Sequence, residues 1–172
     1  MPGTAGIKET LIAPMPQFRR SQWDIVIFLS GVLLVVVIDR LTKLFFSGFL
    51  GLNESIAVIQ KFLYFTLVHN TGIAFGFFKD CGAVFIIIPV ILTGLLIYNI
   101  YYYRHSPNLS RTYIVAFSLI LGGAIGNLID RIMLGYVIDF IDFRVWPVFN
   151  VADSAITIGA AIILLKCVPA SK

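Results

Sequence analysis

Charge is what this chain lacks. Asp, Glu, Lys and Arg make up 13% of its 172 residues, against 59% hydrophobic ones, whereas soluble domains carry about 25% charged residues. With a mean hydropathy of +0.94, a water-soluble globular fold is excluded and an integral membrane protein is indicated. The net charge of +4 is spread over single Lys and Arg residues that form no basic stripe, so no nucleic-acid partner is expected. Cysteine is scarce as well. Cys81 and Cys167 fall near opposite ends of the expected bundle, too far apart for a disulfide, and neither has a metal-ligand spacing. A P-loop, an HExxH, a Ser-His-Asp set, an internal repeat and a low-complexity tract are all absent. No metal and no cofactor are expected.

What the chain does have is long apolar runs. Crossing a ~30 Å hydrocarbon core takes roughly 20 helical residues, and four windows qualify: about Asp24 to Phe46, Ala83 to Tyr103, Thr112 to Ile132 and Val151 to Val168. Residues 1–22 contain Pro2, Pro14 and Pro16 and no periodicity, and read as a mobile tail; 23–168 read as a single domain. No cleaved signal peptide is expected, because the first apolar run continues into Asp39 and Arg40. Between Gln60 and Asn70 the residues alternate and are rich in aromatic and β-branched types, which predicts a strand. Asn70-Thr71-Gly72 predicts a turn, and Ile73 to Phe78 a second strand. The expected architecture is mainly α: a four-transmembrane-helix bundle with a small β-sheet at about 47–82, lying on one membrane face because an open sheet edge cannot sit in lipid. Pro89 predicts a kink, and Tyr98, Tyr101, Tyr102 and Tyr103 an interfacial belt. Phe75 to Cys81, with glycine, aromatics and charge, is expected to act as a lid.

Four alternating spans bring the remaining polar groups to one membrane side: Asp39, Lys43, His69, Asn70, Asn127, Asp130, Arg131, Asp139, Asp142, Asn150 and Asp153. The opposite side receives Lys8, Arg19, Arg20, Arg104, Arg111, Lys166 and Lys172 against Glu9 and Asp24, which marks it, and both termini, as cytoplasmic. An ionisable group at membrane depth costs ~3 kcal/mol or more and points to function. Asp39 and Lys43, four apart, share a helix face. Gly122 and Gly126 allow close helix contact, beside a stripe of Gly123, Asn127 and Asp130 or Arg131. Two aspartates in a poorly solvated site cannot both ionise easily, so one can serve as acid while the other activates water; this is aspartic peptidase chemistry. Plainer roles are open to the same residues: Asn150 as a helix N-cap, Asp153 as an acid favoured by the helix dipole, Asp139 as a solvated loop residue, and Asp130 as a partner of Arg131 or Arg144. The residues alone do not rank Asp139 against Asp142. A small channel or proton-coupled transporter using membrane carboxylates is the alternative function.

Five ordered motifs, IDRLTK, HNTGIAFG, GGAIGNLIDR, GYVIDF and FNVADS, resemble those of the lipoprotein signal peptidase (signal peptidase II) family, from about Ile38 to Ala160. The resemblance implies a four-helix inner-membrane aspartyl endopeptidase with a β-cradle and a short periplasmic helix, its active site toward the periplasm. Its substrates would be prolipoproteins, cut just before the diacylglyceryl-modified cysteine, with membrane lipids as surroundings. It implies Asp139 and Asp153 as the catalytic dyad. Asn70, Gly123, Asn127 and Asn150 would line the site and hold substrate. Asp130 with Arg131, and Asp39 with Lys43, would give structural support.

Overall fold

A computed structural model describes residues 22–72, 87, 90–91, 93–98 and 110–167. Helix α1 (Gln22–Phe49) is followed by strands β1 (Ser55–Ile59) and β2 (Leu63–Asn70). Then come α2 (Arg111–Leu134), β3 (Val137–Asp142) and α3 (Val151–Cys167). Helices α1 and α2 are each long and apolar enough to cross a membrane. Residues 93–98, in the expected second span, are helical. The rest of that span, including Pro89 and the tyrosines after Tyr98, lies outside the described residues, as do the tail at 1–21, the expected strand Ile73 to Phe78, the lid segment and Cys81. The short outer helix is not among the described elements.

Helix α2 is the middle layer, and its glycines set how closely the others approach. A Cβ on Gly122 would lie 2.8 Å from Val35 Cβ of α1, and one on Gly126 2.7 Å from Asp39 Oδ2. Gly123, about 100° further round the helix, faces α3 instead: a Cβ there would collide with the Ala152 carbonyl and lie 2.8 Å from Ile156. Two adjacent glycines thus admit two different helices, and the α3 N-terminus comes to lie against the middle of α2. Elsewhere α1 keeps Leu29, Leu33, Leu41 and Leu44 exposed, the surface a lipid-facing helix needs.

The sheet, in order β1-β2-β3 and wholly antiparallel, caps one end of the bundle. Phe46 and Leu50 at the end of α1 pack with Leu67, Ile138 and Phe140, and Phe46 stacks on Phe140 with ring centroids 4.3 Å apart. The β1–β2 hairpin turns through Lys61 in the left-handed region, φ 67°, where Phe62 N–H donates to the Ile59 carbonyl at 3.0 Å. Helix α2 stops at Gly135, φ 81°, whose N–H donates to the Arg131 carbonyl; glycine adopts this conformation at little cost. The chain then enters β3 directly. Asp139 therefore lies in a strand, not the solvated loop open to it from sequence, and it is buried.

Candidate active site

Side chains alternate along a strand, so Ile138 and Phe140 face the α1 core while Asp139 faces away from it, toward the start of α3. Opposite Asp139 in β2 is Val68, and Asn70, two residues on along the same face, donates from Nδ2 to Asp139 Oδ2 at 2.9 Å. Asn150 Nδ2 donates to Asp139 Oδ1 at 2.7 Å and to Asn127 Oδ1 at 3.0 Å. Asn127 Nδ2 donates to Asp153 Oδ1 at 2.7 Å. The two aspartates are thus bridged by two carboxamides.

Asn150 is also the N-cap of α3. Its Oδ1 accepts the Asp153 N–H at 2.9 Å, while Asp153 Oδ2 accepts the Asn150 N–H at 3.3 Å, the reciprocal bonding of a capping box. Capping and site-building, alternatives when read from sequence, are here one arrangement: the box fixes the Asp153 rotamer, and the spare amide hydrogens of Asn150 reach Asp139.

Beneath this layer is a buried ionic cluster. Lys43 Nζ is 2.7 Å from Asp39 Oδ2, 2.8 Å from Asp130 Oδ2 and 3.0 Å from Asn127 Oδ1, and Lys43, Asp39 and Asp130 are all inaccessible to solvent. Each carboxylate holds a further element with its remaining capacity. Asp39 Oδ1 accepts the Ala152 N–H at 3.0 Å, tying α1 to the first turn of α3; Asp130 accepts the Ile138 N–H at 3.2 Å, tying α2 to β3. Arg40 Nη1 also bonds Asp130 Oδ1. Asp130 therefore pairs with Arg40 and Lys43, not with Arg131 or Arg144. Arg131 instead donates to the Asn127 carbonyl at 3.3 Å and lines the cleft. Arg40 is a residue that sequence reasoning missed; the signal was its place in the same helical turn as Asp39 and Lys43.

A cleft of about 250 Å³ opens at Asp153, lined also by Asn70, Asn127, Arg131 and Trp146; Asp139 does not line it but bonds the lining residue Asn70. It shares Trp146, Phe149, Asp153 and Thr157 with a more apolar groove of about 350 Å³ that runs toward Ile158. Gly123 lines neither; it lies in the α2–α3 contact. Asp139 is raised from 3.8 to about 7, chiefly by burial and then by the charge of Asp153, with the two amide bonds acting in the opposite sense. Among the described residues no group of His, Cys, Asp and Glu could hold a metal ion. Two carboxyls joined through amides in a poorly solvated site do not both ionise readily, so the pair can act together on a water molecule and a carbonyl.

The family model described as signal peptidase (SPase) II matches residues 31–168. The chain belongs to the signal peptidase II family. Its relatives include the lipoprotein signal peptidase of Halothermothrix orenii, 44% identical over 78% of this chain and 90% of that one. That of Pseudomonas putida is 42% identical over 91% and 92%. The fold is similar to a bacterial membrane enzyme solved in meso at 2.3 Å resolution, with a TM-score of 0.71 and 35% identity over 87% of this chain and 92% of that one. Membership makes the chain a membrane peptidase and gives the channel or transporter reading no support.

Proposed function

We propose that the enzyme removes signal peptides from prolipoproteins by aspartic catalysis, cutting just before the diacylglyceryl-modified cysteine, with Asp139 and Asp153 as the dyad. The observation that carries this is the meeting of a polar cleft and an apolar groove at Asp153, which two carboxamides join to Asp139, both carboxyls being held only by amides and backbone N–H groups. A lipid-modified peptide needs both surfaces: polar groups for its backbone and an apolar groove for its acyl chains. Asp153 takes a proton from water as the oxygen attacks the scissile carbonyl. Asp139 donates its proton to the carbonyl oxygen; the tetrahedral intermediate then collapses as the proton held by Asp153 passes to the departing nitrogen and one hydroxyl of the gem-diol returns its proton to Asp139, which restores both carboxyls. Asn70, Asn127 and Asn150 orient the two carboxyls.

The same reading places four spans in a bacterial inner membrane, residues 23–168 as one domain behind a cytoplasmic tail, both termini inside and the dyad toward the periplasm. The cation bias of the opposite side supports it. The test is cleavage of a diacylglyceryl-modified prolipoprotein peptide by the purified enzyme, read by mass spectrometry. A product beginning at the lipidated cysteine is expected, together with an uncut unlipidated peptide. No product, or a cut elsewhere, overturns the proposal.

A further inference from the structure

An ammonium has three N–H donors and no acceptor, whereas a carboxamide has a donor end and an acceptor end that exchange places on a half-turn. Three amides donate to the two aspartates, and each must present the correct end. Their oxygens are all pinned by donors. Asn70 Oδ1 accepts the Gly72 N–H at 2.9 Å, and Asn150 Oδ1 accepts the Asp153 N–H at 2.9 Å. Among the described residues, none gives Asn127 such a backbone bond. Its Oδ1 accepts from Lys43 Nζ at 3.0 Å and from Asn150 Nδ2 at 3.0 Å; the ammonium has no acceptor end to offer, while the Asn150 amide keeps its donor end there only through its own bonds to the Asp153 N–H and the Ile138 carbonyl.

Charge balance does not require that third bond of Lys43, since Asp39 and Asp130 already surround the cation and Arg40 shares Asp130. Its effect is directional. A flipped Asn127 would set Nδ2 against the ammonium and the Asn150 amide, and its oxygen against Asp153 Oδ1, now 2.7 Å from Nδ2. We propose that Lys43 is a positioning residue of the peptidase: without touching the dyad, it fixes the Asn127 carboxamide so that the NH₂ faces Asp153 and holds the carboxylate that activates water. This rests on the dyad reading above. It assigns Lys43 a part in turnover beyond holding helices together.

The test is a double-mutant cycle on kcat with the lipidated peptide. Lys43→Met alone would leave buried carboxylates uncompensated, so the variant used is Lys43→Met with Asp39→Asn. This removes one charge of each sign and leaves an oxygen at position 39 for the Ala152 N–H. It should lower kcat by about 10- to 100-fold, the range for loss of an orienting hydrogen bond, with KM changed less than about 3-fold, as for a loss confined to the chemical step. Asn127→Leu should give a similar loss. Combining all three changes should lose no more than the larger of the two, because both act through one amide. Multiplying losses, or a change chiefly in KM, would make Lys43 merely structural and overturn the proposal. Asn127→Asp supplies a measurement independent of how the lysine variant folds: it still satisfies Lys43 but offers Asp153 no N–H, so kcat should fall as in Asn127→Leu. Full activity there also overturns the proposal. If the unmodified enzyme does not cut the peptide, it is the dyad reading that fails.

Discussion

Asp139 and Asp142 lie three residues apart on one strand, yet the protein treats them as different chemical groups. Asp142 faces the β2 side of the sheet end, where Thr66 Oγ1 donates to its Oδ2 at 2.7 Å and the Arg144 N–H to its Oδ1 at 2.7 Å. The Arg144 guanidinium is 3.4 Å from the same carboxylate and stacks over Tyr64. Asp139 faces the α3 side and is held by two neutral amides. The contrast extends to the helices: Asp39 and Asp130 are gripped by cations, while Asp153, like Asp139, forms no ion pair among the described residues. Protonating a carboxylate bonded to a buried cation leaves that cation without its partner. Amides tolerate either state. The two carboxyls proposed as the dyad are those that form no direct ion pair with a Lys or Arg among the described residues.

The largest effect that could break this distinction comes from exchanging the amide-held acids. Asp139→Asn or Asp153→Asn should lower the cleavage rate by at least ~10³-fold, since an amide can neither take up nor give the proton in general acid–base catalysis. Both variants should remain folded by thermal melting in detergent. Substantial turnover by either would falsify the dyad. A second effect follows from the value of about 7 for Asp139. Above that pH Asp139 loses the proton it must donate, so the rate should fall about tenfold per pH unit. It should fall again in acid when both carboxyls are protonated, and the two apparent values belong to the coupled pair. For stability the sign is that of a raised acid. The contribution is complete below the ordinary carboxylate value of 3.8 and is lost as pH rises through about 7. Melting temperature should therefore decline across that window, and Asp139→Asn should flatten the decline. The smallest effect sharpens the comparison from the other side: Asp142→Asn should change turnover less than about 3-fold and cost about 1 kcal/mol of stability. Loss of activity there, in a folded protein, would move the dyad one turn of the pleat along the strand.

The parts of this architecture that could be read from the chain are those set by local period. The runs forming α1, α2 and α3 were expected within a few residues, and the alternation at 60–70 matched β2. β1 lies inside the expected β region at about 47–82 but was not named as a strand, and β3 was not expected. Ser55–Ile59 has no alternation because every residue in it is exposed, and VIDFID places acids where strands rarely have them. β3 is a strand because β2, about 70 residues earlier, pairs with it and Asp130 anchors its Ile138 N–H. Connectivity brought the polar residues to one end of the bundle, but their pairing did not follow from it. Asp39 and Lys43 share a face by spacing, whereas Arg40 reaches Asp130 across 90 positions, and no local pattern encodes that. Gly123 was named for the site through the GGAIGN motif; its close approach to α3 depends on where Ala152 lies, which no local pattern encodes.

The bond from the Ala152 N–H to Asp39 joins the last described helix to the first, which gives the order of biosynthesis a consequence. Once α1 and α2 are both in the bilayer, Lys43, Arg40, Asp39 and Asp130 can neutralise one another, so the growing polypeptide need not hold naked charge in lipid. Asp153 arrives only with α3. Until the ribosome has delivered that helix and its amide has docked on Asp39, the chain is a charge-balanced scaffold with half of the proposed dyad. A truncated or stalled product would thus sit harmlessly in the membrane, unable to cut the precursors inserted beside it.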